Sequence, residues 1–307
     1  MITKGDIIKT LREQKGLTQS ELADGVCSQT TLSRAESGKQ EMSFHVFSRL
    51  LEEMGENLQN YTLAMTTTEK EAIELGREIT ELLNQEQYAD AEKLLDELEA
   101  LKELDEDSYN FAKFSRIVIA AGRGLPQKEA IEQLHKVFKW LDKLSDKKGR
   151  YQRHNYSKHI FSKTRLQVLS FLAICYVAVE EAQAIEIFYL QKLYLERIIA
   201  DRDTFANAYT AVTHNLSKQL ALSKKHDEAL AIAEEGIAWC DKYGRSDSLD
   251  ALLLNKACIL VEIDSLSAEG IELLNLCYLS FKRKSQPAVY EQIRGFALLH
   301  NVSIFVE

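Results

Sequence analysis

The sequence predicts an all-α fold in two parts, a small N-terminal helix-turn-helix domain and a long array of helix pairs. Three observations carry this. Only two prolines and 13 glycines interrupt 307 residues, of which 45% are hydrophobic. Apolar residues recur at spacings of three and four, the period of an amphipathic helix. No strand-like alternation of useful length occurs, and most of the chain is rich in Leu, Ala, Glu and Lys, all good helix formers.

The first 65 residues read as four helices. Ile7, Ile8 and Leu11 mark the first, Leu17, Leu22, Ala23 and Val26 the second, Leu32 and Ala35 the third, and Val46, Phe47, Leu50, Leu51 and Met54 the fourth. Gly16 stops the first, Thr18 with Glu21 makes a capping box for the second, and Ser28 and Ser43 stand where the third and fourth must start. In such a domain the second helix braces against the DNA backbone, and the third presents its N-terminal side chains to base edges in the major groove. The third helix, residues 28–36, turns outward Ser28, Gln29, Thr30, Thr31, Ser33 and Arg34. Gln can pair bidentately with adenine and Arg with guanine. Thr18 and Gln19 at the start of the brace helix, with Lys39 beyond the third, complete the expected set of DNA contacts.

Charge limits what one copy can do. Residues 1–65 carry seven Lys or Arg against nine Asp or Glu, a net of −2. Nonspecific DNA affinity requires the opposite sign, so a single copy is expected to bind weakly. Two copies on the half-sites of an inverted repeat offset this, and the rest of the chain is expected to supply the dimer interface.

Leu17-Thr-Gln-Ser-Glu-Leu-Ala23 and Leu32-Ser-Arg-Ala-Glu-Ser-Gly38 resemble the phage-repressor (Cro/C1, XRE) helix-turn-helix class. The segment from Asp24 to Gly38 is similar to the shorter-turn version found in the PlcR, PrgX and Rgg regulators. That resemblance implies a helical-repeat sensor behind the DNA-binding part.

In residues 66–307 a cap within Thr66-Thr67-Thr68 is expected to open the array. Helices are expected near 69–84, 88–101, 107–122, 126–143, 155–179, 182–200, 203–223, 226–243, 247–263, 267–283 and 286–298. Second helices share a signature, a small residue followed four positions on by an apolar one. The pairs are Ala91 and Leu95, Ala130 and Leu134, Ala184 and Phe188, Ala229 and Ala233, and more weakly Gly270 and Leu274. The small residue lets two helices approach, and the apolar one fills the seam. The small residues lie 39, 54, 45 and 41 apart, longer and less regular than the tetratricopeptide period of about 34 residues. The repeats are therefore degenerate.

These repeats resemble the tetratricopeptide-like arrays of the RRNPP family (Rap, Rgg, NprR, PlcR, PrgX), and with the N-terminal domain the resemblance spans nearly the whole chain. An irregular helical domain without a groove is the other reading of the same pattern. Stacked pairs curve, and their first helices line a concave surface long enough for an extended peptide. The resemblance implies that a short signalling peptide lies there. An Asn side chain offers both a donor and an acceptor, and so can clamp a peptide unit in both directions. Asn215 resembles the Asn that the family is expected to place on an inner helix; Asn255 has a comparable place one pair later, and Asn207 is a further candidate. Lys218, one turn beyond Asn215, can receive a peptide carboxylate. For each, a solvated side chain or a bond within the helix is the alternative.

Other function classes find little support. His154 and His159 are five apart, and His135, His214, His226 and His300 stand alone. There is no His-Glu-x-x-His, no Gly-rich phosphate loop with Lys-Ser/Thr and no Gly-x-Ser-x-Gly, so no catalytic residue, metal site or cofactor is expected. Cys27, Cys175, Cys240, Cys258 and Cys277 are odd in number and widely spaced, which reads as reduced core thiols. The apolar run Val168–Val179 is too short to span a bilayer and no signal core opens the chain, so a cytoplasmic protein with no membrane partner is expected. The net charge of −9 discourages general nucleic-acid binding by the C-terminal part. The basic stretch Lys143–Lys163 is expected to be a solvated loop leading into the next helix.

The sequence thus predicts a homodimeric transcription regulator. Residues 1–65 would bind an inverted-repeat operator in double-stranded DNA, and residues 66–307 would sense a peptide and dimerise. The alternative is an adaptor that sequesters another regulator through its repeats, with weak or no DNA binding.

Overall fold

The computed structural model describes residues 3–56, 67–102, 104–146, 149–156, 161–198, 206–244 and 246–304. The chain divides into two compact units, Met1–Cys175 and Tyr176–Glu307. The domain boundary expected at residue 65 lies outside the described residues.

The first unit opens with α1 (Lys4–Gln14), α2 (Gln19–Ala23), α3 (Gln29–Glu36) and α4 (Phe44–Glu53). Each start is chemically fixed. Thr18 Oγ1 accepts from the Glu21 amide while the Glu21 carboxylate accepts from the Thr18 amide, and Ser28 and Ser43 accept from the Thr31 and Val46 amides. The expected apolar positions close one core: Ile8, Leu22, Leu32, Phe47, Leu50 and Leu51 are buried, with Ile7, Leu11, Leu17, Val26 and Val46 packed against them. Two glycines are needed by geometry. Gly25, at φ +73°, turns the chain between α2 and α3, a conformation that costs L side chains energy. A Cβ on Gly5 would stand 2.1 Å from the Ala35 carbonyl oxygen, so α1 crosses α3 backbone to backbone.

The same crossing holds an ion pair the apolar pattern does not reveal. Arg12 donates from Nε to Glu36 Oε1 at 2.7 Å and from a terminal nitrogen to Oε2 at 2.8 Å, and also reaches the Leu17 carbonyl at 2.9 Å. Gln19 donates its amide to Glu36 Oε2 at 2.7 Å. Burial by itself would push the Glu36 carboxyl up, but the bonds from Arg12 and Gln19 and the adjacent guanidinium outweigh it and hold the group below its ordinary value. The α1–α4 bundle is also tied to the helical array beyond it, since Lys4 pairs with Glu69.

That array begins with two helix pairs, α5 (Thr67–Asn84) with α6 (Tyr88–Ala100), then α7 (Glu106–Gly122) with α8 (Gln127–Val137). Thr66 lies outside the described residues, and α5 begins one residue later. The structure then departs from the expected helices 126–143 and 155–179. Chain direction breaks at Phe138, a 3-10 turn follows at Leu141–Lys143, and Ser145 bridges Tyr151 across Gly149 at φ +77°. A short α9 (Arg153–Tyr156) precedes α10 (Lys163–Val177). The apolar residues that suggested continuous helices instead meet as rings: Phe138 on Trp140, Trp140 on Phe161, and Tyr156 on both Phe161 and Tyr151. Within the basic stretch, Lys147, Lys148 and Lys158 lie outside the described residues, while Lys143, Arg150, Arg153 and Lys163 are exposed.

The second unit comprises α11 (Glu181–Ile198), α12 (Ala206–Leu222), α13 (His226–Tyr243), α14 (Ser246–Ile263), α15 (Ala268–Arg283) and α16 (Pro287–Leu299). Each packs on the next, and α12 also packs on α14. Across both units the seam signature holds: Ala91, Ala130, Ala184 and Ala229 are fully buried, as are Leu95, Leu134, Phe188, Ala233 and Leu274 four residues beyond each small residue. At Gly270 a Cβ would meet Leu260 at 3.0 Å. All five cysteines are free thiols, with Cys175, Cys240 and Cys277 buried. Among the described residues no helix is long and apolar enough to cross a membrane.

Removing Glu36 strands Arg12 in the α1–α3 crossing, so Glu36→Ala should lower the unfolding free energy of the N-terminal domain by about 3 kcal/mol, read by denaturant titration of the full chain. The pH sign comes from a carboxyl held low in the folded state. Its contribution is present above about pH 4.3, the ordinary glutamate value, and disappears as pH falls through the lowered one. Glu36→Gln should abolish that acid-sensitive step.

Candidate nucleic-acid interface and ligand face

The candidate recognition surface is built from α3. Gln29, Thr30 and Arg34 are exposed along it, Thr31 and Ser33 are half-buried, and Lys39 is exposed just beyond it. Leu32, Ala35 and Glu36 fasten the opposite side to the core. Division of labour among the hydroxyls is clear. Ser28 and Thr31 bond each other at 2.8 Å, and Thr18 bonds the Glu21 carboxylate at 2.8 Å, so these three shape the helix starts. Gln29, Thr30, Ser33, Arg34 and Lys39 have no side-chain partner among the described residues. Gln19, expected at a phosphate, instead commits its amide nitrogen to Glu36.

Most cations of this domain are likewise committed. Lys4 pairs with Glu69, Arg12 with Glu36, Lys15 with Glu56, and Arg49 with Glu52 and Glu53. Lys9, Arg34 and Lys39 have no ion-pair partner among the described residues and are exposed. The outward surface of α3 is therefore mainly neutral hydrogen-bonding groups, with two cations at its end.

The predicted peptide residues fall on the second unit. Along α12, Asn207, Ala211, Lys218 and Leu222 are exposed and Asn215 is half-buried, an outward stripe at helical spacing. Ala251, Asn255, Cys258 and Glu262 are half-buried on α14, which packs on α12. The two asparagines there differ. Asn255 donates to the His214 carbonyl at 2.9 Å, to His214 Nδ1 at 3.2 Å and to Ser217 Oγ at 2.8 Å, so its amino group fastens α14 to α12. Asn215 has no such bond among the described residues. Asn207 accepts Thr210 Oγ1 only through its backbone carbonyl. Burial, then the charge of Lys218, push the His214 imidazole down to about 4, so it is neutral at physiological pH. Burial likewise drives the Cys258 thiol up to about 12.

Sequence reasoning missed Glu36 and His214 as organising groups. Both had a signal: Glu36 lies one turn from the buried Leu32, and His214 one turn from the buried Thr210 and Ser217, positions where a polar side chain must find partners.

Comparison with known proteins gives one match by sequence family. Residues 8–59 match the helix-turn-helix family model. Among curated proteins none matches the chain. Solved structures share the fold over nearly the full length. Bacillus thuringiensis PlcR in complex with the peptide PapR7 and DNA superposes with a TM-score of 0.63 at 18% identity, covering 95% of this chain and 99% of that one. PlcR in its apo form gives 0.60 at 18% identity, with 95% and 98% covered. ComR from S. thermophilus, in complex with DNA and its signalling peptide ComS, gives 0.54 at 14% identity, with 98% and 100% covered. At these identities the likeness is one of fold.

The asparagines should separate by stability. Asn255→Ala removes the bonds its amino group gives to the His214 carbonyl and ring and to Ser217 Oγ, and should cost about 1–3 kcal/mol. Asn215→Ala should change thermal unfolding of the full chain by no more than about 0.5 kcal/mol.

Proposed function

We propose that this protein is a transcription regulator that reads double-stranded DNA through α3 and whose DNA binding is set by a short signalling peptide on the α12–α14 face. The observation that carries the reading is the unpartnered polar set Gln29, Thr30, Ser33, Arg34 and Lys39 on and just beyond a capped recognition helix. The family match over residues 8–59 supports the DNA-binding half. The peptide half is supported by a shared fold with PlcR and ComR, both solved with DNA and a peptide.

Two copies bind an inverted repeat in this reading, because three free cations are too few for one copy to hold DNA tightly. Their recognition helices then enter successive turns of one face of the duplex. A peptide that binds one arrangement of the repeat domain better than another shifts the population toward it, and with it the spacing of the two α3 helices. An adaptor function is favoured by one feature, the internal pairing of Lys4, Arg12, Lys15 and Arg49.

Gel-shift titration against the promoter beside its own gene decides between them. Wild type should bind specifically, and Gln29→Ala/Arg34→Ala should lose roughly 2–4 kcal/mol of that specificity through two lost base contacts. With about six phosphates neutralised by two copies, the log–log salt slope should be near −5. Absence of specific binding at low salt supports the adaptor, and a slope near −10 contradicts the inventory of free cations.

A further inference from the structure

The outward sides of the second helices differ in one place. On α6 the exposed residues include Asp90, Lys93, Asp96 and Glu97, and on α13 Asp227, Glu234, Glu235 and Asp241. On α15 two leucines stand outward instead, Leu276 at 57% exposure and Leu279 at 51%. A single exposed leucine is ordinary, but two on adjacent turns of one stripe keep a continuous apolar area in water.

The stripe ends in opposite charges. Glu272 lies four residues before Leu276 and Arg283 four after Leu279, and both are exposed. Glu272, Leu276, Leu279 and Arg283 thus follow the alternating spacing of four and three that marks a helix seam. Neither Glu272 nor Arg283 has a hydrogen bond or ion pair among the described residues, whereas Glu269 pairs with Lys256 and Lys284 with Asp250. The opposite side of α15 is fastened. Leu274, Cys277, Tyr278 and Phe281 are buried in a core shared with α14 and α16, and Ser280 and Lys284 donate to Asp250 of α14 at 2.6 and 2.8 Å. Packing on its own chain therefore fixes the direction in which the seam points.

The order of the four residues is its own complement. When two identical α15 helices lie antiparallel about a two-fold axis midway between Leu276 and Leu279, Leu276 of each copy meets Leu279 of the other, and Glu272 of each meets Arg283 of the other. Parallel pairing would set like charges together at both ends, so the charges select the antiparallel arrangement.

We propose that α15 is a self-association surface, its Glu272–Leu276–Leu279–Arg283 seam packing antiparallel on the same seam of a second copy. This rests on the two-copy reading above and assigns the surface that joins the copies. A different protein would need both charges at matching places, which a second copy supplies by symmetry.

Sedimentation equilibrium of the full chain tests the seam. Wild type should be dimeric. Leu276→Glu/Leu279→Glu should weaken dimerisation roughly a hundredfold or more by removing the apolar centre. Glu272→Arg and Arg283→Glu, which each set like charges together at both ends, should each weaken it about tenfold. Mixing these two variants, or combining both changes in one chain, restores opposite charges and should return the constant to within about twofold of wild type. Misfolded variants would not recover on mixing, and melting curves check the leucine variant. A wild-type dimer that ignores these changes, or charge variants that fail to recover on mixing, overturn the seam and leave another surface to join the two copies. A monomeric wild type also overturns it, and if one copy alone occupies the promoter fragment the two-copy reading falls as well.

Discussion

Glu36 is held from two directions, by the guanidinium of Arg12 from α1 and by the amide of Gln19 from α2. The carboxylate therefore fixes the relative setting of three helices at one point. That setting decides whether α3 projects its polar edge, since its other edge is what Leu32, Ala35 and Glu36 bury. Hydrophobic burial around Ile8, Leu22 and Phe47 is non-directional, and alone it would tolerate small rotations of α3 about its own axis. A bidentate ion pair with a third donor does not, because its bonds fail when their angles change. The close crossing at Gly5 acts in the same sense, bringing the Ala35 carbonyl against α1. Reading DNA bases requires side chains placed to a fraction of an ångström, and this tie supplies the rigidity behind α3.

The helix pairs solve a different problem with the same economy. Each seam has one small residue where backbones approach and one apolar residue that closes the gap a turn later, as Ala91 with Leu95 and Ala184 with Phe188. A unit that touches mainly its neighbours leaves its outward stripe free of packing duty. On α12 that stripe is where Asn207, Asn215 and Lys218 appear, while the inward side supplies Tyr209, Val212, Leu216 and Leu220.

How much of this was legible beforehand depends on the kind of interaction. Helix starts at Thr18, Ser28 and Ser43 were readable because a cap is a local event of three residues. The seam positions were readable because they recur with helical spacing. The excursion between Phe138 and Phe161 was not, since apolar residues at spacing three and four suit both a helix face and a cluster of rings; which one forms depends on long-range packing of Trp140, Tyr151 and Tyr156. Asn215 and Asn255 look alike in sequence for the same reason. Only the approach of α14 to α12 gives Asn255 its bonds to His214 and Ser217, while Asn215 has no side-chain bond among the described residues.

A chain with 47 acidic and 38 basic residues can keep cations from closing into internal pairs only by keeping carboxylates away from them. At the end of α3 this is achieved by burying Glu36 behind Arg34 and by the uncharged run Ser28–Ser33. On α12 the outward residues beside Lys218, namely Asn215, Ala211 and Leu222, are uncharged. The two places share no elements and no sequence pattern, yet both leave amides and a cation facing outward over a fixed floor. Repulsion from the rest of an acidic surface weakens any anion that approaches elsewhere. Discrimination between ligands then rests on geometry at these groups more than on total charge, because many of the remaining cations are engaged by carboxylates of their own chain.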